Sequence, residues 1–398
     1  MTLIKRIEQG QTTPEFRITP EKLLRDNQSA KAIHNRTEWR RAKETNNGEM
    51  TLYIVCGDAR IVTAEMFEGP RIVSISSIAS SGDLKPFSYL LQHPMVGQIV
   101  VVGHFDHEKI NETGKIAGCG GQDTSQKLRQ GQVVVEDSNL DHFLAQRVTP
   151  DFFDNVSKIV AKAAFLSGKP VLGVLADHLT YGAFPIIEQV GKKQIKLAYD
   201  YLKNFYPGQI KSLEELLKIG SDVFPELKLD DLDPIFQKII SRNRDKAIKR
   251  LKKDSKFLER QRIQNPSTVV ISTCPMPTAL RYPETFNQPN TAFVIRQPFV
   301  KNGNGALLTI DDVDFNSIAG QIYYPLSHAL MKNPKKGFFD TKELLIETPD
   351  LELSAQIAER LLKVQFIKEW ISNCGGKIMI GEVKEEQTTR IQDYPNIL

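Results

Sequence analysis

Cysteine is scarce, with four in 398 residues at Cys56, Cys119, Cys274 and Cys374. That number is too small for a disulfide framework, and it suits a reducing compartment in which thiols stay free to act as ligands. Long apolar runs are also lacking. No stretch approaches the roughly 20 residues of a membrane span, and the opening Met1-Thr2-Leu3-Ile4-Lys5-Arg6-Ile7-Glu8 lacks the apolar core of a signal peptide. The expected location is therefore the cytoplasm, with no membrane partner. Charge of one sign is nearly absent: 52 Lys and Arg against 48 Asp and Glu leave a net +4. So even a balance does not argue for nucleic acid as a partner. At 398 residues the chain is too long for one typical domain and suits two or three.

What is present is a spaced set of metal-ligating residues. The apolar run Leu52-Tyr53-Ile54-Val55 leads directly into Cys56-Gly57-Asp58-Ala59-Arg60, and Ile99-Val100-Val101-Val102 leads into Gly103-His104, with Gly118-Cys119-Gly120-Gly121 further on. Two thiolates and one imidazole give zinc three protein ligands and leave a fourth position for water, which marks a catalytic site rather than a structural one. In that reading Asp58 accepts a hydrogen bond from the water. Arg60 grips Asp58 in a bidentate pair and keeps it off the metal. A lone Cys after a strand is most often a small buried hydrophobe, but ligand-type residues at several strand ends with Asp and Arg at fixed offsets argue for a site. His107 is the alternative imidazole if the connection to Cys119 shifts the register. Asp106 and Glu108 read as solvated loop acids, or as groups that orient a ligand histidine from behind.

These motifs resemble the β-class carbonic anhydrases, whose pattern is Cys-x-Asp-x-Arg at one strand end and a His and a Cys at another. Ser88-Tyr89-Leu90-Leu91-Gln92-His93 is similar to the family's helix before the histidine strand, and Gly168-Lys169-Pro170-Val171-Leu172-Gly173-Val174-Leu175-Ala176-Asp177 to its final strand. The resemblance covers roughly residues 45–190. It departs from the usual His-x-x-Cys, because fourteen residues separate His104 from Cys119; the carboxysome shell carbonic anhydrases also show a longer gap. Ala59 stands where Ser is commoner, which removes a hydroxyl but no ligand.

The resemblance implies zinc-dependent reversible hydration of CO2 to bicarbonate by a zinc-bound hydroxide. It implies zinc on Cys56, His104 and Cys119, a catalytic pair Asp58 and Arg60, and Tyr89 and Gly120 at the substrate pocket. The glycines beside Cys119 let the backbone approach the metal and start a helix whose N-terminus favours thiolate and bicarbonate. A carbonyl sulfide or carbon disulfide hydrolase on the same ligands is the alternative enzyme, and a non-catalytic scaffold stabilised by zinc is the third reading. Intact Asp58 and Arg60 argue against the scaffold. Expected partners are the small-molecule substrate, further copies of the chain, and in the shell-type reading a carboxysome, which is then the alternative compartment.

An internal repeat follows. Pro266-Ser267-Thr268-Val269-Val270-Ile271-Ser272-Thr273-Cys274-Pro275-Met276-Pro277-Thr278 mirrors the first strand and its Cys, with Met276 and Thr278 in place of Asp58 and Arg60. Ala292-Phe293-Val294-Ile295-Arg296-Gln297 resembles the family's second strand, and Gly376 through Val383 pairs gaplessly with the segment that begins at Gly168. Glu343-Leu344-Leu345-Ile346-Glu347-Thr348 puts Thr348 where the second zinc histidine is expected, so this copy is expected to be metal-free. The expected fold class is α/β, with two tandem β-carbonic-anhydrase-like domains, each a mostly parallel sheet flanked by helices, forming an intrachain pseudo-dimer with a degenerate second copy. The expected organisation is a helical arm over 1–44, a catalytic domain over 45–190, a helical linker over 191–265 and the degenerate domain over 266–398. Helices are expected after Thr19-Pro20, over 30–43, 192–205 and 213–219, and as one long basic segment from Asp233-Pro234 to about Ile263, read as a solvated face packing across the pseudo-dimer.

Overall fold

The computed structural model describes residues 18–45, 50–67, 72–81, 83–110, 116–131, 138–149, 151–196, 230, 232–254, 256–262, 266–287, 291–296, 309–313, 315–330, 341–384 and 387–395. The strands are β1 (Met50–Cys56), β2 (Ile72–Ser77), β3 (Val96–Ile110), β4 (Ile116–Ala117), β5 (Val171–Asp177), β6 (Ala183–Val190), β7 (Lys193–Lys196), β8 (Thr268–Ser272), β9 (Ala292–Arg296), β10 (Glu343–Thr348), β11 (Lys377–Lys384) and β12 (Gln387–Asp393). They form one sheet in the order β12-β11-β10-β8-β9-β2-β1-β3-β5-β6-β7, with β4 hairpinned onto β3. From either end to the central β9–β2 contact the pattern repeats. On each side a central strand, β1 or β8, lies parallel to both its neighbours, and an antiparallel strand follows the last parallel one.

Every residue of β1, β2 and β5 is buried, as expected for a parallel sheet covered on both faces. Alternation along the strands sorts the core into layers. Leu52, Ile54, Ile99 and Val101 face one side with Trp39 and the long helix over Phe152–Ser167, while Tyr53, Val55, Val100 and Val102 face the other with Phe236 and Ile240. The first of these helices starts at Asp151, whose side chain accepts from the Phe153 and Asp154 amides, and stops at Gly168 with φ 67°. A left-handed residue there favours glycine.

The two ends of the sheet share their cores. Cys56, Cys119, Leu140 and Leu144 belong to the same buried cluster as Ile271, Phe293, Ile322 and Trp370, while Cys274 and Met276 are packed with Leu52 and Ile54. β2 and β9 meet antiparallel at Ser76 and Arg296. The buried Arg296 guanidinium donates to Ser74 Oγ at 2.5 Å, to Ser76 Oγ at 3.4 Å and to Thr278 Oγ1. Burial, with the Arg281 charge nearby, pushes it down to about 9. Arg281 itself is fully buried and forks onto Glu347 at 3.0 and 2.6 Å.

Several expectations are corrected here. Residues 193–196 form β7 against β6 rather than the start of a helix, because Val190 and Lys193 close a hairpin at Gly191, whose φ is 58°; the remainder of 192–205 and all of 213–219 lie outside the described residues. The basic segment is a helix over Pro234–Lys253, capped by Asp233, then a short one over Phe257–Gln261. Part of its basic face is exposed as expected, at Arg242, Lys249, Lys252 and Lys253, but two of its cations turn inward. Lys246 Nζ donates to the Ala64 and Phe67 carbonyls and Arg250 to Glu65, so the helix is fastened to the end of the sheet that carries β1. Thr19 caps the helix Pro20–Asn27, as its sequence suggests, and a second helix covers Ala30–Thr45. This arm reaches the far end: Asn27 and Asn35 donate to the carbonyls of Arg281 and Leu280.

The ladder registers also shift one equivalence. If Cys274 takes the place of Cys56, the pairing of Ile54 with Val101 and of Ser272 with Glu347 carries Val101 onto Glu347. The position of His104 then falls on Asp350, not Thr348. Asp350 is the N-cap of the helix Leu351–Leu362, where its side chain accepts from the Glu352 amide. The same registers match Gly173 with Gly381, in agreement with the gapless pairing seen in the sequence.

Two outcomes are expected. Glu347→Leu strands a fully buried guanidinium and should lower unfolding free energy by about 3–5 kcal/mol in denaturant melts, whereas adding Arg281→Met should restore much of the loss. Residues 1–190 expressed alone should expose the shared core and self-associate or aggregate by light scattering; a stable monomer would show that the far end of the sheet is dispensable.

Candidate metal centre

Cys56 is the last residue of β1, and His104 lies in β3 opposite Ala176 of β5. Cys119 stands at the N-cap of the helix Gly120–Arg129 with extended backbone, φ −61° and ψ 137°. Cys56 and His104 therefore sit toward the carboxyl ends of parallel strands, where α/β sheets place their ligands, and Cys119 joins them from the segment after the short antiparallel β4. Their ligand atoms lie within 4.8 Å of one another, the two Sγ atoms are 3.5 Å apart, and each side chain is buried. Among the described residues this is the one group of three or more His, Cys, Asp and Glu side chains placed to hold a metal.

His104 Nε2 is buried without a hydrogen-bond partner. Leaving such an atom unpaired costs about 1–3 kcal/mol, and a cation between it and the two sulfurs would remove that cost. The donor set, two soft thiols and an imidazole, fits zinc. Without a cation the thiols divide their charge unequally: the hydrogen bond from Cys56 holds Cys119 well below the ordinary thiol range, aided by His104, while burial pushes Cys56 well up. Burial also opposes protonation of His104, but the Cys119 and Asp58 charges outweigh it and raise its pKa.

The backbone around Cys56 is bent to serve its sulfur. Ala79 N–H donates to Cys56 Sγ at 3.2 Å. Ala79 and Ser80 have φ 52° and 60°, a left-handed conformation that costs a non-glycine residue roughly 1–3 kcal/mol. Asn155 Nδ2 holds the Ala79 carbonyl at 2.9 Å, and Ser80 Oγ donates to the Val102 carbonyl at 2.7 Å, so the bend is tied down on two sides.

Asp58 and Arg60 form the pair expected from their spacing. Asp58 Oδ1 accepts from the Arg60 backbone N–H at 2.9 Å and from Nε at 3.1 Å, and Oδ2 accepts from Nη2 at 2.8 Å. Oδ2 lies 3.9 Å from His104 Nε2. Burial alone would raise the Asp58 pKa, but Arg60 overrides it and holds the carboxyl far below the usual range. The carboxylate therefore stays ionised and stays in place.

Some neighbours of this group come from the far end of the sheet, and local sequence carries no signal for them. Tyr324, on the helix Phe315–Leu330, comes so close to Gly120 that a Cβ added there would lie 2.3 Å from its hydroxyl. Burial, with the Cys119 and Asp58 charges, raises the Tyr324 pKa, which keeps its phenol protonated. Val294 on β9 blocks a Cβ at Gly57, with its carbonyl oxygen 2.7 Å from that position. Gln321 Oε1 accepts from the Ile78 amide at 3.3 Å. Tyr89 packs against the cluster that contains Met276 and Leu280, and burial, with the Cys274 charge, raises its pKa. A small cavity of about 40 Å³ at the junction of β2 and β9 touches Cys56 and is lined from both ends of the sheet, but His104, Cys119, Asp58 and Arg60 are not in its wall.

Two acids and a histidine complete the picture. Asp106 is not a solvated loop acid, because β3 runs on to Ile110 and buries it beside His178, 3.2 Å from Nε2. Glu108 does face outward, in an ion pair with Arg262 at 2.8 Å. His107 lies on β3, but its side chain is outside the described residues.

Fold and site together define an α/β protein with a buried cysteine–histidine–cysteine group at the strand ends of a mostly parallel sheet. No family model matches the chain, and no curated protein matches it. Among solved structures it is similar to one of two tetrameric β-carbonic anhydrases from the filamentous ascomycete Sordaria macrospora, at 15% identity and a TM-score of 0.25 over 41% of this chain and 90% of that one. A β-carbonic anhydrase of the fungal pathogen Aspergillus fumigatus is similar at 18% identity and TM-score 0.25 over 39% and 84%. The Coccomyxa β-carbonic anhydrase in complex with acetazolamide follows at 16% and 0.24 over 41% and 82%. Among the described residues no helix is long and apolar enough to cross a membrane.

Elemental analysis should find one zinc per chain. Cys56→Ala and Cys119→Ala should each remove it, and Cys274→Ser should leave it in place. Two zinc ions per chain would mean that the far end of the sheet also ligates metal.

Proposed function

We propose that this chain is a zinc-dependent carbonic anhydrase of the β-class type, which hydrates CO2 reversibly to bicarbonate. The observation that carries the reading is the Cys56, His104 and Cys119 group with an unpartnered His104 Nε2, set beside an aspartate that Arg60 holds clear of it. Cys56 Sγ, His104 Nε2 and Cys119 Sγ would hold the metal. Zinc there supplies a Lewis acid that makes a nucleophile of water near neutral pH.

The chain's own residues do the rest. Asp58 Oδ2, directed toward the ligands, accepts a hydrogen bond from a nucleophile bound beside His104 and so orients it. Its pKa is too low for it to carry the released proton away at neutral pH, so Asp58 orients and the proton leaves by another route. Arg60 keeps the carboxylate off the metal by occupying both its oxygens. The Ala79 amide steadies negative charge on Cys56, and Tyr324 and Phe293 close the site from the far end of the sheet.

The repeated strand order about the β2–β9 contact supports reading 266–398 as a second copy and the chain as an intrachain pseudo-dimer, with 1–44 as the arm, 45–190 as the catalytic part and 191–265 as the linker. Loss of the imidazole at Asp350 and of Asp and Arg at Met276 and Thr278 makes that copy degenerate. Its role in this proposal is to wall the working site. The long connection from His104 to Cys119 and the degenerate half favour the carboxysome shell enzymes as the nearest subgroup, with the carboxysome as an alternative to the cytoplasm.

Stopped-flow CO2 hydration by the zinc-loaded protein tests the reading, run beside carbonyl sulfide hydrolysis. Asp58→Asn should retain zinc and lose activity by about 10²-fold or more, the scale of removing one positioned hydrogen-bond partner. Fast hydrolysis of carbonyl sulfide with negligible CO2 hydration would move the assignment to the alternative enzyme. Zinc binding with neither activity would leave a zinc-stabilised scaffold.

A further inference from the structure

His178 belongs to neither the three ligands nor the Asp58–Arg60 pair, yet it touches both. It follows the last residue of β5, and its amide donates to the Phe105 carbonyl at 3.0 Å, which carries its ring to the face of β3 occupied by His104. The two rings meet edge to face with centroids 5.7 Å apart. Nδ1 of one lies 3.5 Å from Nδ1 of the other. At the far side of the His178 ring, Nε2 lies 2.9 Å from Arg60 Nη1 and 3.2 Å from Asp106 Oδ2.

Those last two contacts cannot both be hydrogen bonds of a neutral ring. A guanidinium only donates and a carboxylate only accepts, while a single imidazole nitrogen does one or the other. With the Arg60 guanidinium 2.9 Å from Nε2, a second cation on the ring is disfavoured, so the ring is taken neutral, with one proton to place. With the proton on Nδ1, bare Nε2 accepts from Arg60. With the proton on Nε2, it donates to Asp106 Oδ2, and Nδ1 is free to accept. A histidine that binds metal through Nε2 keeps its proton on Nδ1, and that N–H needs an acceptor. His178 Nδ1, 3.5 Å away, can be that acceptor.

Resting on the zinc-site reading above, we propose that His178 is the positioning residue of the centre. Its Nδ1 accepts from the His104 Nδ1–H and its Nε2–H donates to Asp106, so the chain Asp106, His178, His104 sets the orientation of the ligand ring. In the metal-free protein the same Nε2 accepts from Arg60 instead. One imidazole thereby links metal loading to the guanidinium that grips Asp58, with no net proton gained or lost on His178.

The wild-type protein tests this directly. In ¹⁵N-histidine spectra, His178 should carry its proton on Nδ1 in the metal-free protein and on Nε2 after one equivalent of zinc; an unchanged tautomer overturns the proposal. Chelator competition gives the second measurement. His178→Leu should weaken zinc binding 10- to 100-fold, the usual effect of removing a partner behind a metal ligand, and Asp106→Asn should weaken it in the same direction. His178→Gln, which keeps a polar partner for the His104 N–H, should recover part of the loss. Zinc affinity within twofold of wild type in a folded His178→Leu protein also overturns it. A tautomer change without CO2 hydration would sink the proposed activity alone, and hydration without the tautomer change would sink only the role of His178.

Discussion

The antiparallel meeting of β2 and β9 at Ser76 and Arg296 makes one sheet of two strand groups, and the geometry of the candidate site depends on that meeting. Backbone bonds from Val294 N to Gly57 O and from Ser74 N to Pro275 O extend the junction on both sides. Arg296 sits in it facing three hydroxyls, with no carboxylate among its hydrogen-bond partners in the described residues. Because the junction fixes β9 against the loop after β1, it also brings the helix Phe315–Leu330 over Cys119, with Tyr324 against Gly120. The same junction carries Tyr89 toward Cys274.

At the site, charge decides the arrangement. A carboxylate, a guanidinium, two thiols and two imidazoles are all buried within hydrogen-bonding distance of one another or nearly so. Burying each alone would cost several kcal/mol, so each charge must have a partner. Arg60 meets this need for Asp58, and Cys119 and Asp58 draw positive charge toward His104. What is left over is His104 Nε2 facing two sulfurs. The far end of the sheet has solved the same problem differently, by pairing Arg281 with Glu347 and hydrogen-bonding Tyr282 to that carboxylate.

Strand identity, the ligand residues and the acid–base pair were legible from the sequence because each is encoded within a few residues. An apolar run ends at Cys56, and Asp58 and Arg60 follow at offsets that a tight turn brings together. Thr19 and Asp233 announced their helices through local capping chemistry that needs no tertiary contact. The hairpin at 193–196 was missed because its pattern, short and polar, says as much for a helix as for an edge strand. The equivalence of Asp350 with His104, two residues beyond Thr348, is not legible in the sequence because register is a property of pairs of strands.

Sequence by itself determined an α/β chain with repeated strand motifs and a set of residues able to bind a metal, since periodicity and ligand type are local properties. Tertiary structure alone decided which acids are buried and which residues complete the site. Asp106 became an interior group when β3 ran past His104, and His178 reached both the ligand ring and Arg60 because β5 lies in register beside that strand. Tyr324 arrived from the far end of the sheet. Such placements depend on contacts between segments far apart in the chain, and the free energy that settles them, burial of charge against the partners available, exists only once those segments have met.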